Sequence, residues 1–294
     1  MTKFNLQSFA FAAVVLFAVL VNFSGRENTK ETISAAEISD TNLTANIAVI
    51  SDIDPTPPIF KVLPNVKAVT AYAKELFGSQ VFFEKNIHQQ WPVASLTKLM
   101  TAAVALEKIG INQEVVASEN AVATEGIAGG LLVGRSYPVR ELINVLMGVS
   151  SNDAAVALAE SYGVKRFVAT MNSRAGNIGM LDTVFADPTG LTSLNQSNVL
   201  DLEKLVKHVF NNYPEILTAS RQPDVKIAGQ VFKNINAFAG RPDFLGGKTG
   251  FIDEASGNLI SLFNVGGQPV LIIVLGSDDR FGDTRKIYDH ITGS

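Results

Sequence analysis

The chain has 294 residues, 47% of them hydrophobic and 18% charged, with a formal net charge of −4 at pH 7. That apolar content and modest charge exclude global disorder, and the length holds one large domain or two small ones. The acidic balance opposes sequence-independent nucleic-acid binding, which needs clustered Lys and Arg, and the absence of cysteine removes disulfide frameworks, thiolate metal sites and thiol nucleophiles together.

The first element is apolar. FAFAAVVLFAVLV (9–21) lies just behind Lys3 and contains no polar residue, a length that fits a signal-peptide core or, extended to 4–23, a membrane anchor. No small-x-small cleavage site follows Phe23, so residues 1–23 are read as a signal peptide or, preferably, a retained anchor, and the rest of the chain as exported. Residues 24–58 are rich in Ser, Thr, Asn, Asp and Glu and end in DPTPP, the composition of a flexible linker that stiffens near its end. Residues 59–294 form the working domain.

Within that domain, residues 66–73 and 80–84 read as short strands joined across Gly78 and Ser79. Residues 95–109 carry Leu96, Leu99, Met100, Ala103 and Leu106 at helical intervals and stop at Gly110, which predicts a helix with Ser95 as its N-cap or in its first turn. A second helix is predicted over 140–147, stopped by Gly148. A third spans 153–162, with Asp153 favouring its positive end. Ser197 is placed to cap a fourth, 199–210, whose Val199, Leu202, Leu205, Val206 and Val209 make an apolar stripe. The period then changes: 258–265, Gly266-Gly267 and 269–275 predict an antiparallel hairpin of buried strands, and 283–291 a last helix. Strands at both ends with helices between them predict an α+β domain, a mainly antiparallel sheet flanked by helices with a helical subdomain inserted.

Three short strings carry chemistry. In Ser95-Leu96-Thr97-Lys98 the i and i+3 positions share a helical face, so the Lys98 amine reaches the Ser95 hydroxyl. A desolvated lysine near a second cation is neutral enough to take the serine proton. Ser150-Ser151-Asn152 lies between two predicted helices and puts a hydroxyl and a carboxamide into a turn. Gly246-Gly247-Lys248-Thr249-Gly250 invites a phosphate-loop reading, which fails because position 242 is Pro and the residues after Phe251 read as turn and strand. A strand-borne Lys248, Thr249 and Gly250 instead offer a cation, a hydroxyl and unobstructed backbone along one cleft edge, suited to an anionic peptide end. His88, His208 and His290 would have to supply any rival base, and none has an activating neighbour in the sequence.

In this order and on these element types, the three strings resemble the signature motifs of the penicillin-binding and serine β-lactamase superfamily. WPVASLTKLMTA (91–102), SSNDAAVALAE (150–160), ADPTGL (186–191) and GGKTGFIDEASGNL (246–259) resemble the low-molecular-mass D-alanyl-D-alanine carboxypeptidases, and the likeness runs over 60–294. The resemblance implies a β-lactamase/transpeptidase-like fold and an enzyme that removes the terminal D-alanine from peptidoglycan stem peptides ending in D-Ala-D-Ala. It implies covalent inhibition by β-lactam antibiotics, and no metal or organic cofactor.

Roles follow from the same resemblance. Ser95 is the nucleophile and Lys98 the general base of acylation. Ser150 relays protons with Lys98 and Lys248, and Asn152 holds the substrate backbone. Lys248, Thr249 and Gly250 receive the terminal carboxylate, and the N–H groups of Ser95 and Phe251 form the oxyanion hole. Arg280 either supports the carboxylate or is a surface arginine beside Asp278, Asp279 and Asp283.

The chain also departs from the pattern. Family members commonly have Thr at the position of Ile252. Leu191 stands where a class A β-lactamase has the glutamate that activates water, so slow deacylation and inhibition by penicillin are expected. The β-rich C-terminal domain and membrane helix of many members have no counterpart, which leaves residues 1–23 as the expected membrane attachment. A D,D-endopeptidase cutting crosslinks would use the same groups and stays open, as, more remotely, do a β-lactamase and an inactive wall-binding module.

Overall fold

The computed structural model describes residues 63–126 and 129–294; the expected anchor (1–23) and linker (24–58) lie outside the described residues. The chain opens with the strands β1 (Thr70–Glu75), β2 (Val81–Lys85) and β3 (Trp91–Pro92). A 3₁₀ turn, Ala94–Thr97, then runs into helix α1 (Lys98–Lys108). There follow β4 (Glu114–Val116), α2 (Glu119–Val122), β5 (Ser136–Pro138), α3 (Val139–Gly148), α4 (Asn152–Tyr162) and α5 (Val164–Asn177). Next come β6 (Gln196–Ser197), α6 (Val199–Asn212), α7 (Pro214–Ser220), β7 (Asp224–Ile227) and β8 (Gln230–Lys233). The chain closes with β9 (Phe244–Ile252), β10 (Ser256–Val265), β11 (Gln268–Ser277) and α8 (Arg280–Thr292).

The main sheet has the order β2-β1-β11-β10-β9, and every adjacent pair is antiparallel. Thr70 lies opposite Leu275 and Glu75 opposite Val270, so the first strand of the domain is zipped to one of its last. The helices between β2 and β9 are the inserted subdomain that the sequence predicts.

Side-chain alternation along the strands builds two cores. Val270, Ile272 and Val274 join Leu259, Phe263, Phe238 and Ile287 on the face that α8 covers. Leu271, Ile273 and Leu275 join Ile260, Leu262 and the inserted helices on the other. Burial on both faces explains the uninterrupted apolar run 270–275. Helix α1 runs through the second core with residues 98–105 all buried, and its alanines keep the neighbouring helices close.

Where the structure departs from the sequence reading, local causes are visible. Asn198, not Ser197, caps α6, its side chain accepting from Asp201 N at 2.9 Å; Ser197 belongs to β6 and its hydroxyl meets that of Thr183. Helix α5 went unread because it buries only Phe167, Met171 and Ala175, a stripe one residue wide. The β7–β8 hairpin turns on Ala228-Gly229, both at positive φ, a weaker signal than Asn-Gly. Among the described residues no helix is long and apolar enough to cross a membrane.

Candidate active site

Ser95 lies in the 3₁₀ turn rather than capping α1. Thr97 precedes the helix, and no side chain caps it there. A capping hydroxyl would be occupied by a backbone N–H; here the Ser95 hydroxyl is 2.9 Å from Lys98 Nζ, just ahead of the positive end of the α1 dipole. Lys98 itself has no exposed surface. Its amine also lies 2.8 Å from Asn152 Oδ1 and 2.6 Å from the Thr189 carbonyl. Burial pushes this lysine from the usual 10.5 down to about 7, against the opposing pull of Asp187 and Asp153.

The turn between α3 and α4 supplies the second group. Ser150 adopts a left-handed backbone with φ of 63°, a conformation uncommon outside glycine, and its hydroxyl accepts from Lys248 Nζ at 2.9 Å. Ser151 caps α4 by accepting from Ala154 N. Asn152 donates Nδ2 to the Glu125 carbonyl at 2.8 Å, which fixes its amide with Oδ1 toward Lys98. Lys98 is therefore bonded to Asn152, while Ser150 is bonded to Lys248.

Strand β9 is the edge of the sheet, and its Lys248 and Thr249 are buried against the helical subdomain. Lys248 also donates to the Thr249 carbonyl at 2.8 Å. Its amine is held well below the ordinary lysine range, first by burial, then by the charges of Lys98 and Arg280. Gly250 permits the approach of the nucleophile turn: a Cβ there would sit 3.0 Å from the Val93 carbonyl oxygen and 3.1 Å from Ser95 N. The glycine-rich string thus lies in a strand, as the rejection of a phosphate loop requires.

Arg280, at the start of α8, donates to the Gly250 carbonyl at 2.8 Å and does not pair with its aspartate neighbours. Asp279 caps α8 through Gly282 N, and Asp283 holds Ala68 N, each at 2.9 Å. Burial lowers the Arg280 pKa.

Ser95, Ser150, Thr249, Gly250, Phe251 and Arg280, with Ile235 beside them, line a cleft of about 240 Å³. A larger pocket of about 530 Å³ shares Phe251 and Arg280 as walls but holds none of the Ser and Lys groups just described. None of the histidines lines the cleft: His88 is exposed, and His208 bonds Asn212 on α6.

Sequence reasoning passed over two contributors, Asp187 and Thr189 of the ADPTGL string. Its Asp-Pro-Thr-Gly order is turn chemistry, which was the available signal. The Asp187 carboxylate is occupied by the backbone of its own loop, and Leu191 places no carboxylate beside Asn152.

Comparisons with known proteins give the family and the fold. The family model described as D-alanyl-D-alanine carboxypeptidase (peptidase S11) matches residues 59–279. A D-alanyl-D-alanine endopeptidase of Pseudomonas aeruginosa is 28% identical over 270 residues, covering 85% of this chain and 86% of that protein. A D-alanyl-D-alanine carboxypeptidase of Mycobacterium tuberculosis is 29% identical over 234 residues, covering 76% of this chain and 80% of the relative. Among solved structures, a cysteine mutant of the Streptomyces K15 DD-transpeptidase has a TM-score of 0.72 at 28% identity, covering 79% of this chain and 100% of that one.

Proposed function

The chain belongs to the D-alanyl-D-alanine carboxypeptidase family, and from that premise we propose that it removes the terminal D-alanine from peptidoglycan stem peptides through an acyl-enzyme on Ser95. The observation that carries the reading is the buried Lys98 amine, 2.9 Å from the Ser95 hydroxyl and titrating at about 7. An amine in that range is substantially neutral at physiological pH and takes the serine proton as the oxygen attacks the carbonyl. The oxyanion that forms is held by the N–H groups of Ser95 and Phe251, each contributing about 3–4 kcal/mol to the transition state. Lys248, Thr249 and Arg280 bind the terminal carboxylate, and Asn152 holds the peptide on the acyl side.

Collapse of the tetrahedral centre breaks the C–N bond. D-alanine leaves with a proton delivered from Lys98 or through Ser150 and Lys248, and water then hydrolyses the ester. Penicillin enters the same way, with its amide opened and its leaving amine still tethered. Leu191 offers no base to the hydrolytic water, so that acyl-enzyme persists. The kinship with enzymes named endopeptidases supports a second reading, cleavage of crosslinks by the same groups. The apolar run 9–21 supports placement outside the cytoplasm, with 1–23 as signal peptide or anchor, 24–58 as tether and 59–294 as the catalytic domain.

Mass spectrometry of isolated muropeptides after treatment with the protein tests these assignments. Loss of one alanine from pentapeptides identifies the carboxypeptidase, and conversion of crosslinked dimers to monomers identifies the endopeptidase. Ser95→Ala is expected to abolish both while shifting stability by no more than about 0.5 kcal/mol. Undiminished turnover by that variant would remove Ser95 from the mechanism.

A further inference from the structure

A neutral lysine amine carries two hydrogens and one lone pair, yet three polar atoms surround Lys98 Nζ: Ser95 Oγ at 2.9 Å, Asn152 Oδ1 at 2.8 Å and the Thr189 carbonyl at 2.6 Å. Two of these only accept. A carbonyl oxygen has no hydrogen to give, and Asn152 presents Oδ1 because its Nδ2 donates to Glu125. Both amine hydrogens therefore go to Asn152 and Thr189. The lone pair falls to Ser95, whose hydroxyl is the one member of the three able to donate. After proton transfer the ammonium has three hydrogens for the same three oxygens, so the arrangement suits both ends of the step.

The position of the Thr189 carbonyl is set by Asp187. One oxygen of its carboxylate accepts from Thr189 N at 2.5 Å, Thr189 Oγ1 at 2.6 Å and Gly190 N at 2.7 Å. Asn195 closes the loop by accepting from Ala186 N at 2.6 Å and donating to Thr97 Oγ1 at 3.1 Å. Thr101 Oγ1 ties the adjacent Pro188 carbonyl to α1 at 2.6 Å. Gly190, at φ of 83°, lets the loop lie directly on the nucleophile turn, since a Cβ there would fall 2.0 Å from the Ala94 carbonyl oxygen.

Resting on Ser95 as the nucleophile, we propose that Asp187 is a positioning residue of acylation: its carboxylate holds the Thr189 carbonyl against Lys98 Nζ and so turns the lone pair of the amine onto the Ser95 hydroxyl. In the step itself the Ser95 O–H bond breaks, an N–H bond forms on Lys98, and the serine oxygen bonds to the substrate carbonyl carbon. Around the amine, Asp187 from its loop and Asp153 from α4 favour the protonated form. On the far side, burial and then the charges of Lys98 and Arg280 hold the amine of Lys248 on β9 well below the ordinary lysine range.

The test is the second-order rate of acylation by a fluorescent penicillin, followed from about pH 5 to 9, a range that brackets the titration of the base. Asp187→Ala is expected to lower the alkaline plateau by about a hundredfold, the scale of a misplacement of about 1 Å in a catalytic group. Asp187→Asn keeps an acceptor for Thr189 and Gly190, so its plateau stays within about tenfold of wild type. Its acid limb moves to lower pH, because a charge that favours the ammonium is gone. A purely structural role would lower the melting temperature and leave that midpoint in place. A wild-type plateau in folded Asp187→Ala overturns the proposal, and so, even if that variant fails to fold, does a plateau in Asp187→Asn far more than tenfold below wild type, since that variant keeps the acceptor for Thr189 and Gly190. Intact-mass and peptide analysis of the wild-type adduct separates the two levels. A label absent from Ser95 overturns the nucleophile assignment and this inference with it, whereas a label on Ser95 with unaffected variants overturns Asp187 alone.

Discussion

A lysine with no exposed surface titrates where its surroundings dictate, and the consequence reaches beyond reactivity to stability. The unfolded chain presents Lys98 to water with a pKa of about 10.4, while the folded amine sits at about 7. Between those values the unfolded state binds a proton that the native state has released. Native stability is therefore lost as pH falls from about 10 to 7 and loses nothing further below, where both states are protonated. Lys98→Met cannot titrate. The stability of wild type minus that of the variant should rise with pH across the window by at most about 1.4 kcal/mol per unit, measured by denaturant unfolding at several pH values; a flat difference would mean that the amine is solvated. The Ser-x-x-Lys spacing foretold the contact between residues 95 and 98. It could not foretell the left-handed backbone of Ser150 or the choice of Asn152 as partner of Lys98, because both depend on how α3 and α4 are joined and packed.

Elements were readable in proportion to the width of their apolar stripe. Helices α1, α3 and α6 bury most of one side or more, and their periodicity reports it. Helix α5 and the short β7–β8 hairpin leave little trace. Helix starts were less secure, since Ser197 and Asn198 are both good caps and only the β6 pairing of Ser197 decides between them. Asn198→Ala should cost about 1 kcal/mol, a fall of roughly 2–4 °C in melting temperature for a chain of this size. Penicillin acylation should be unchanged, since Asn198 does not line the cleft. A change in rate without a change in melting temperature would contradict the capping role. Strand β9 shows why an edge position matters: β10 satisfies one side of its backbone, and the other borders the nucleophile turn where a peptide can lie.

At the scale of the whole molecule, the sheet joins residues 70–75 to 268–277 across the entire helical insertion. The side chains and carbonyls around the cleft come from five separate stretches, around 95–98, 150–152, 187–189, 248–251 and 280, which the packed sheet and helices bring together. Among the described residues, 63 onward, the two apolar cores together run from Val66 to the last helix. Residues 59–294 produced alone are therefore expected to unfold in one cooperative transition and to react with fluorescent penicillin at the full-length rate. A two-step transition or a lost rate would show that earlier residues complete the fold.

Composition, periodicity and three short strings by themselves determined the α+β class, the helical insertion between terminal strands, the Ser95–Lys98 contact and the strand setting of Lys248. Such properties belong to near neighbours in the chain, whose spacing is fixed by 3.6-residue turns and alternating strands. Tertiary structure alone decided which acceptors surround the Lys98 amine, that Ser150 faces Lys248, that Arg280 reaches the Gly250 carbonyl, and that Asp187 braces the cradle. Those depend on burial and on distances between groups far apart in the chain, which exist only once the packed sheet and helices bring them together.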